Sequence, residues 1–226
     1  MDIVLEAKQI VRAFPTGAGE NFYALKGVDM QVPRGSLTIL KGRSGSGKTT
    51  LLNILSALDD PTSGEVIFDG MNYSQMSYEE KENLRRCQIG FVFQSVALIP
   101  IMNAYENVDF AMRLAGVTGD YNAQIENVLK IVGMEERMMH MPGQMSGSEQ
   151  QRIAIARAVA HGPKVIFADE PTGALDTESG IKVMKLFWKL IEKEGMTIVM
   201  TTHDPNLMEL GDVIYEMEDG ELVELK

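Results

Sequence analysis

The sequence contains very little cysteine, no long apolar run and no excess of positive charge. A single cysteine, Cys87, excludes a disulfide bond within the chain. No stretch approaches the roughly 18 to 20 consecutive apolar residues that a membrane-spanning helix needs. Residues 1–6 lack the basic segment and apolar core of a signal peptide. We therefore predict a cytoplasmic protein without membrane-spanning segments.

The charge balance is acidic. A formal net charge of -11 argues against non-specific nucleic-acid binding, since such binding needs a basic surface that displaces counterions from the phosphates. We expect no nucleic-acid partner. With 226 residues, 45% of them hydrophobic, the chain is long enough for one globular domain with a full-sized core and an inserted subdomain.

Short apolar runs predict the strands of a sheet. Alternation between Val28 and Val32 indicates a half-buried strand, and we expect antiparallel strands at the start of the chain. The run 36–40 stands directly before a glycine-rich loop and a predicted helix over Thr49 to Leu58. A final hairpin is predicted around Asp219-Gly220. Internal strands are predicted at 65–68, 89–93, 164–168 and 196–200. From Phe91 onward these strands are expected to be fully buried, as parallel strands are.

Between Gln94 and about His161 the apolar residues follow helical spacing instead. Candidate helices cover 106–114, 123–132 and 150–161. Because strands precede and follow this segment, we interpret it as a helical insertion into an α/β core. The predicted fold class is α/β, with a parallel or mixed sheet, an antiparallel β subdomain near the N-terminus and an inserted α-helical subdomain.

The glycine-rich loop has the composition of a phosphate-binding loop. Its glycines allow backbone N–H groups to surround phosphate oxygens, Lys48 supplies a positive charge, and the Thr49 hydroxyl can ligate Mg²⁺. A strand before and a helix after this motif are typical of a nucleotide site; the alternative is an ordinary glycine turn. The predicted nucleotide-binding residues are Gly42, Arg43, Ser44, Gly45, Ser46, Gly47, Lys48, Thr49 and Thr50.

Two carboxylates, Asp169 and Glu170, follow the apolar run that ends at Ala168. Ligands of parallel α/β sheets bind beyond the carboxyl ends of the strands. Asp169 is therefore placed to hold Mg²⁺ and Glu170 to polarise an attacking water molecule. The alternative is that both residues only begin the turn at Pro171 or cap a helix. A charged pair directly after buried residues favours the catalytic interpretation.

A second helix start also has anion-binding character. The segment Ser146-Gly147-Ser148-Glu149 has the form of a capping box, and a helix N-terminus with small residues attracts a phosphate group. Taken alone, the segment is more typical of a well-capped helix than of a ligand site. Its meaning depends on the other motifs of the chain.

In their order along the chain, these motifs resemble an ABC-type ATPase. The order is the phosphate loop, Gln94, the segment 144–152, the two carboxylates, the segment 174–176 and His203. The resemblance spans nearly the whole chain, and the segments 23–28, 58–64, 89–94 and 171–176 are similar to the MacB/LolD branch. It implies a single ABC ATPase domain over 1–226. Within it, a RecA-like P-loop NTPase core and the β subdomain would occupy 1–94 and 162–226, and a helical subdomain about 95–161.

The resemblance also implies roles for single residues. Phe14 would stack on the adenine of ATP, although a lone aromatic residue is as often a packing residue. Asp176 would line a dimer contact, and Ser146, Gly147 and Ser148 would bind nucleotide. ATP and Mg²⁺ are the implied ligands. The implied metal ligands are Thr49, Gln94 and Asp169, and the implied catalytic residues are Glu170, His203 and Gln94.

One departure concerns the signature segment, which is usually Leu-Ser-Gly-Gly-Gln in this family. Here it runs from Met145 to Glu149, with Ser148 where the family has a glycine. Methionine conserves the volume of leucine. A helical φ tolerates serine, so its cost comes from crowding at the phosphate. We expect a working but weakened site.

The predicted partners follow from the order of the motifs. The phosphate loop and Ser146 are separated by the helical insertion, so we expect them to meet only between two chains. The result would be an ATP-dependent dimer with a second copy or a homologous ATPase. A membrane permease would dock at the Gln94 loop and the helical subdomain and hold the chain at the cytoplasmic face of the membrane.

Two other function classes are weighed against this reading. A soluble ABC ATPase of DNA repair or translation is disfavoured by the acidity and the single cassette. A P-loop kinase or switch protein would leave residues 146–152 and His203 unexplained.

Overall fold

A four-stranded antiparallel sheet begins the fold. The computed structural model describes residues 2–17, 19–204, 206–207 and 209–224. Strands β1 (Ile3–Pro15) and β2 (Asn21–Pro33) form a long hairpin in which Phe14 pairs with Phe22. Strands β4 (Ser63–Phe68) and β5 (Met71–Asn72) continue the sheet in the order β2-β1-β4-β5. The expected antiparallel β subdomain is thereby present.

A six-stranded mixed sheet forms the centre of the molecule. Its strand order is β10-β9-β3-β8-β7-β6, and all neighbours run parallel except the pair β9 and β10. The last two strands form the predicted hairpin around Asp219-Gly220. The strands are β3 (Leu37–Lys41), β6 (Ile89–Val92), β7 (Val165–Ala168), β8 (Thr197–Thr202), β9 (Val213–Glu218) and β10 (Glu221–Glu224).

Within the described ranges, six α-helices connect these strands, and four of them match predicted ones. The matching helices are α1 (Lys48–Leu55), α3 (Ala104–Leu114), α4 (Asn122–Ile131) and α5 (Gly147–Val159). Helices α2 (Tyr78–Gln88) and α6 (Thr177–Glu194) are additional. Short 3₁₀ turns cover Tyr73–Gln75, Glu135–Arg137 and Pro142–Gln144. In the part of the chain described, no helix has the length and apolar character needed to cross a membrane.

The six-stranded sheet separates two buried clusters. Because side chains alternate between the faces of a strand, Ile166 and Ala168 of β7 join one cluster, whereas Val165 and Phe167 join the other. Helices α3 to α6 complete the first cluster, and α1 with the four-stranded sheet completes the second. The inserted helices therefore share a core with one face of the sheet.

Burial follows the prediction in β7 and β8 but not around β6. Every residue of β7 and β8 is buried, as expected for covered parallel strands. The expectation is wrong for Phe91, which is only partly buried, and for Phe93, which is 40% exposed. Strand β6 is an edge strand, and Phe91 within it and Phe93 just beyond it line an open groove rather than packing under a covering layer.

Strand β6 and helix α5 approach each other too closely for a side chain between them. A Cβ atom added to Gly90 would lie 2.2 Å from the carbonyl oxygen of Ala158. That distance is far below van der Waals contact, so only glycine fits here without a backbone shift.

Candidate active site

The phosphate loop lies between β3 and α1, pressed against the backbone of β9 and β2. Gly42 has a φ of 148°, and a Cβ there would lie 2.3 Å from the Met217 carbonyl oxygen. Gly47 has a φ of 111°, and a Cβ there would lie 2.7 Å from the Ala24 carbonyl oxygen. Both positions require glycine for conformation and for space. The loop is therefore held in shape by its neighbours.

The N-terminus of α1 carries no side-chain cap. Its N-cap residue is Gly47, no side chain among the described residues caps it, and its first turn contains no acidic residue. Lys48 is only 5% exposed, and its Nζ donates to the carbonyl oxygens of Gly42 and Arg43 at 2.8 and 3.0 Å. Uncapped N–H groups beside a buried cation suit an anionic ligand.

Asp169 is the first residue beyond β7 and is bonded from two sides. Thr49 Oγ1 donates to Asp169 Oδ2 at 3.0 Å, and Thr201 Oγ1 donates to Asp169 Oδ1 at 2.7 Å. The carboxylate thus connects the start of α1 with the end of β8. The predicted pair of Thr49 and Asp169 is brought together.

Glu170 is the meeting point of three predicted site residues. Its Oε2 lies 3.0 Å from His203 Nδ1 and accepts a hydrogen bond from Gln94 Nε2 at 3.2 Å, and its Oε1 lies 3.9 Å from Lys48 Nζ. The backbone of Glu170 is left-handed, with a φ of 44°, and its N–H donates to Thr201 Oγ1 at 2.8 Å. Non-glycine residues adopt this conformation at a cost, and such residues cluster at functional sites.

A cleft of about 430 Å³ opens over these groups. The hairpin of β1 and β2 lines one side of it through Phe14 and Phe22, which are 38% and 58% exposed. The Arg12 guanidinium covers the Phe14 ring at 4.7 Å from its centroid. The other side is lined by the phosphate loop together with Gln94 and Glu170. His203 and Glu170 line a second cleft beside it.

The start of α5 has the predicted capping box. Ser146 Oγ accepts from the Glu149 N–H at 3.3 Å, while Glu149 Oε2 accepts from the Ser146 N–H at 2.8 Å and from its hydroxyl at 3.0 Å. Hydrogen bonds from the Ser146 backbone and hydroxyl, with the positive charges of Arg137 and Arg152, lower the pKa of the Glu149 carboxyl. This helix start therefore holds a carboxylate of its own.

The predicted residues fall into two groups. One cleft collects Phe14, Gln94, Glu170 and six residues of the phosphate loop, namely Ser44, Gly45, Gly47, Lys48, Thr49 and Thr50. Gly42, Arg43 and Ser46 complete the same loop, and Asp169 joins through Thr49. Among the described residues that line either cleft, none comes from Ser146, Gly147 or Ser148.

The sequence reasoning did not identify Phe22, Glu149 or Thr201 as site residues. Phe22 stands across the hairpin from Phe14, which the turn between two antiparallel strands could have suggested. The capping-box pattern explains Glu149 as a cap without any ligand. No sequence motif marks Thr201, because its contact with Asp169 depends on the pairing of β8 with β7.

Comparison with known proteins places these motifs in a family. A family model described as ABC transporter matches residues 25–173. The chain is 43% identical to the ABC transporter ATP-binding protein MJ1508 of Methanocaldococcus jannaschii, with 98% of this chain and 99% of that protein covered. It is also 43% identical to the macrolide export ATP-binding/permease protein MacB of Marinobacter nauticus over 98% of this chain. The chain spans 34% of the length of that MacB protein.

Solved structures agree. The dimeric post-hydrolysis structure of the ATP-binding cassette MJ0796 of M. jannaschii, bound to ADP and Pi, superposes with a TM-score of 0.90 at 39% identity, covering 98% of both chains. The predicted α/β P-loop NTPase fold is confirmed by this similarity. The phosphate loop, the two carboxylates directly after β7 and the family match over most of the chain agree with one another, and the chain belongs to the ABC transporter family as one of its ATP-binding ATPase subunits.

Proposed function

We propose that two copies of the chain, or one copy and a homologous ATPase, bind two ATP molecules between them and that hydrolysis drives a membrane permease. One observation carries the catalytic part of this proposal. Lys48, Gln94 and His203 come from three different segments, and all converge on the Glu170 carboxylate. That convergence is what hydrolysis of a terminal phosphate needs: a cation for the phosphate and a carboxylate for the water.

Each residue of this half-site has a chemical role in the proposal. The loop N–H groups and Lys48 hold the β- and γ-phosphates. Glu170 accepts a proton from the attacking water, and Gln94 and His203 orient that carboxylate and the water through their side-chain nitrogens. His203 also reaches the γ-phosphate as a hydrogen-bond donor. These side chains already lie together around Glu170 in the single chain.

The donor set suits Mg²⁺. The Thr49 hydroxyl and the Asp169 carboxylate lie 3.0 Å apart, and the Gln94 side-chain amide lies at the same cleft. These are hard oxygen donors, and Mg²⁺ in nucleotide sites takes few protein ligands beside water and phosphate oxygens. Bound there, Mg²⁺ would neutralise charge on the β- and γ-phosphates. We assign Thr49, Gln94 and Asp169 to this role.

The adenine is assigned to the hairpin end of the cleft. Arg12 covers the Phe14 ring at 4.7 Å, which supports a ring with one face taken and the other face available to a base. Phe22 extends the same apolar surface. Stacking on an aromatic ring contributes about 1 to 3 kcal/mol per base in single-stranded nucleic-acid complexes, so this surface would add affinity without adding catalysis.

The second half of the site is assigned to the start of α5 from the other chain. Ser146, Gly147 and Ser148 present small residues at a helix N-terminus, which suits a phosphate. Their absence from the cleft within one chain, among the residues described, supports a site completed by a partner. The MJ0796 cassette, with 98% of each chain covered, is described as dimeric.

Glu170→Gln tests the catalytic assignment. The amide keeps the size of the side chain but cannot accept a proton, so ATP turnover should fall by about a hundredfold or more while ATP binding persists. The ATP-bound protein dimer should then accumulate, as measured by size-exclusion chromatography with light scattering. The matched control is Glu178→Gln, which changes an exposed carboxylate that pairs with Lys182 on α6. Unchanged turnover in Glu170→Gln would remove the assignment.

The permease is assigned to a groove of about 570 Å³ between the Gln94 loop and the inserted helices. Phe91 and Phe93 line one side, and Phe110 and Leu114 of α3 line the other. Phe93, Phe110 and Leu114 are 40%, 37% and 50% exposed, so the groove presents neighbouring apolar side chains to solvent, as interaction sites do. An amphipathic helix of a membrane subunit fits such a groove. This docking would place the chain on the cytoplasmic face of the membrane.

Co-purification tests the groove. A permease of the MacB type, with four membrane helices and a large extracytoplasmic domain, should be retained by the wild-type chain and lost with Phe93→Asp combined with Phe110→Asp. The control is Met71→Asp, an exposed apolar residue of β5 that lies outside the groove. ATP binding should survive in both variants. Retention of the permease by the double variant would place its docking surface elsewhere.

A further inference from the structure

We propose that Thr201 is a positioning residue that holds both carboxylates of the ATP site in their working orientation. The inference rests on the proposed function, because it concerns the assigned Mg²⁺ ligand and the assigned base. Thr201 lies in β8, the strand between β3, which leads into the phosphate loop, and β7, which leads into Asp169. Its side chain is fully buried. It is therefore shielded from solvent, and its hydroxyl depends on neighbouring protein groups for hydrogen bonds.

The hydroxyl of Thr201 uses both of its hydrogen-bonding capacities on the two acidic residues. It donates its proton to Asp169 Oδ1 at 2.7 Å and accepts the Glu170 backbone N–H at 2.8 Å. A threonine hydroxyl has one donor and two acceptor positions, so these two bonds fix its orientation. One side chain thus links the carboxylate of one residue to the backbone of the next.

For Asp169, the bond decides which way the carboxylate faces. Thr49 Oγ1 lies 3.0 Å from Oδ2 and 3.3 Å from Oδ1, and Thr201 donates to Oδ1 at 2.7 Å. With hydroxyls on two sides, the carboxylate plane cannot turn freely. Thr49 spends its only proton on Asp169, which leaves the lone pairs of its oxygen for a cation. Groups that orient metal ligands from behind act on metal affinity without touching the metal.

For Glu170, the bond supports a backbone conformation that a glutamate rarely adopts. Its φ of 44° is in the left-handed region, which is unfavourable for a residue with a side chain. Satisfying its N–H at Thr201 stabilises that conformation, and the conformation sends the Glu170 side chain towards Gln94 and His203. Without the hydroxyl, the N–H would lose its partner at the point where the strand ends.

A second buried threonine in the same sheet shows that burial alone does not explain Thr201. Thr38 of β3 is also fully buried, and its hydroxyl has no hydrogen-bond partner among the residues that the structure describes. It pairs with Val199 of β8, two residues before Thr201. The two threonines share residue type, burial and sheet, and differ in whether the hydroxyl reaches the carboxylates. Thr38 is therefore the matched control.

The experiment measures ATP affinity by isothermal titration calorimetry in excess Mg²⁺ and in excess EDTA. It uses the Glu170→Gln background, so that ATP is not consumed. The quantity of interest is the gain in affinity that Mg²⁺ provides. Thr201→Val should reduce that gain by about ten- to one-hundredfold and leave the affinity in EDTA unchanged. Thr201→Ser keeps the hydroxyl and should restore the gain, and Thr38→Val should behave as the parent.

The variants distinguish a role of the Thr201 hydroxyl from an effect of packing and from a failure to bind ATP. Should Thr201→Val fail to fold, Thr201→Ala lacks the same hydroxyl, is smaller, and should show the same loss. An unchanged Mg²⁺ gain in a folded variant without the hydroxyl would overturn the positioning role and leave the ATP site assignment intact. An equal loss in Thr38→Val would overturn it as well, because the effect would then follow packing. A parent protein that binds no ATP would overturn the proposed function itself.

Discussion

The two helix starts assigned to ATP look alike in the sequence and differ in the structure. Helix α1 begins without a side-chain cap and without an acidic residue, beside the buried Lys48. Helix α5 begins with Ser146 and Glu149 already bonded to each other. The first start leaves its N–H groups for an outside anion, and the second already satisfies part of its own with a carboxylate.

Because of this difference, we expect the two helix starts to contribute unequally to ATP binding. A phosphate gains from the dipole and the cation at α1, whereas at α5 the same dipole is shared with the negative charge of Glu149. A glutamate is ionised at neutral pH, and the hydrogen bonds from Ser146 lower the pKa of Glu149 further. We therefore expect α1 to provide most of the binding energy for ATP. The contribution of α5 would be smaller and adjustable.

The largest expected effect is at α1. Lys48→Ala removes the buried cation, so nucleotide binding and hydrolysis should both be lost, as measured by calorimetry and by phosphate release. Lys41→Ala, which removes a cation at the end of β3 that lies 3.8 Å from Glu216, is the control and should retain both. ATP turnover by Lys48→Ala at the parental rate would show that α1 does not dominate.

Glu149→Gln should act in the opposite direction, at α5. The glutamine can keep the capping box but removes the charge that competes with phosphate, so ATP-driven dimers should form at about two- to fivefold lower ATP concentration. The assay is light scattering in the Glu170→Gln background. Glu80→Gln, in the equivalent capping box of α2, is the control for effects on helix stability. A shift of equal size in the control would remove the comparison.

The smallest expected effect is at Ser148. Replacing it with glycine should relieve crowding at the phosphate and raise turnover or tighten the dimer, by less than Glu149→Gln does. Ser148→Ala separates the causes, because it removes the hydroxyl and retains Cβ. Improvement in the glycine variant alone identifies Cβ as the obstacle, and improvement in both identifies the hydroxyl. No change in either variant would show that Ser148 is harmless.

Local patterns allowed much of the fold to be predicted from the sequence. The phosphate loop, the strand before Asp169 and the hairpin at Asp219-Gly220 each depend on residues adjacent in the chain. Helix α2 was missed although Ser77 and Glu80 form a capping box, and α6 was missed although Asp176 caps it and Gly195 ends it.

Other features could not be predicted because they depend on contacts distant in the sequence. Thr201 and Asp169 are 32 residues apart and meet only because β8 and β7 pair. The exposure of Phe93 depends on β6 being an edge strand. The domain limits at about 95 and 161 stay a prediction, and the outermost residues 1, 225 and 226 lie outside those described.

The close contact at Gly90 makes β6 and α5 one mechanical unit. A Cβ added to Gly90 would lie only 2.2 Å from the Ala158 carbonyl oxygen. The two backbones are therefore already in close contact at this point. In the proposed dimer, the far end of α5 would bear on the partner's nucleotide. A displacement of that end would move the whole helix and, through the contact at Gly90, strand β6. This strand ends at Val92, two residues before Gln94. The signature of one site and the glutamine of the other would sense the same displacement.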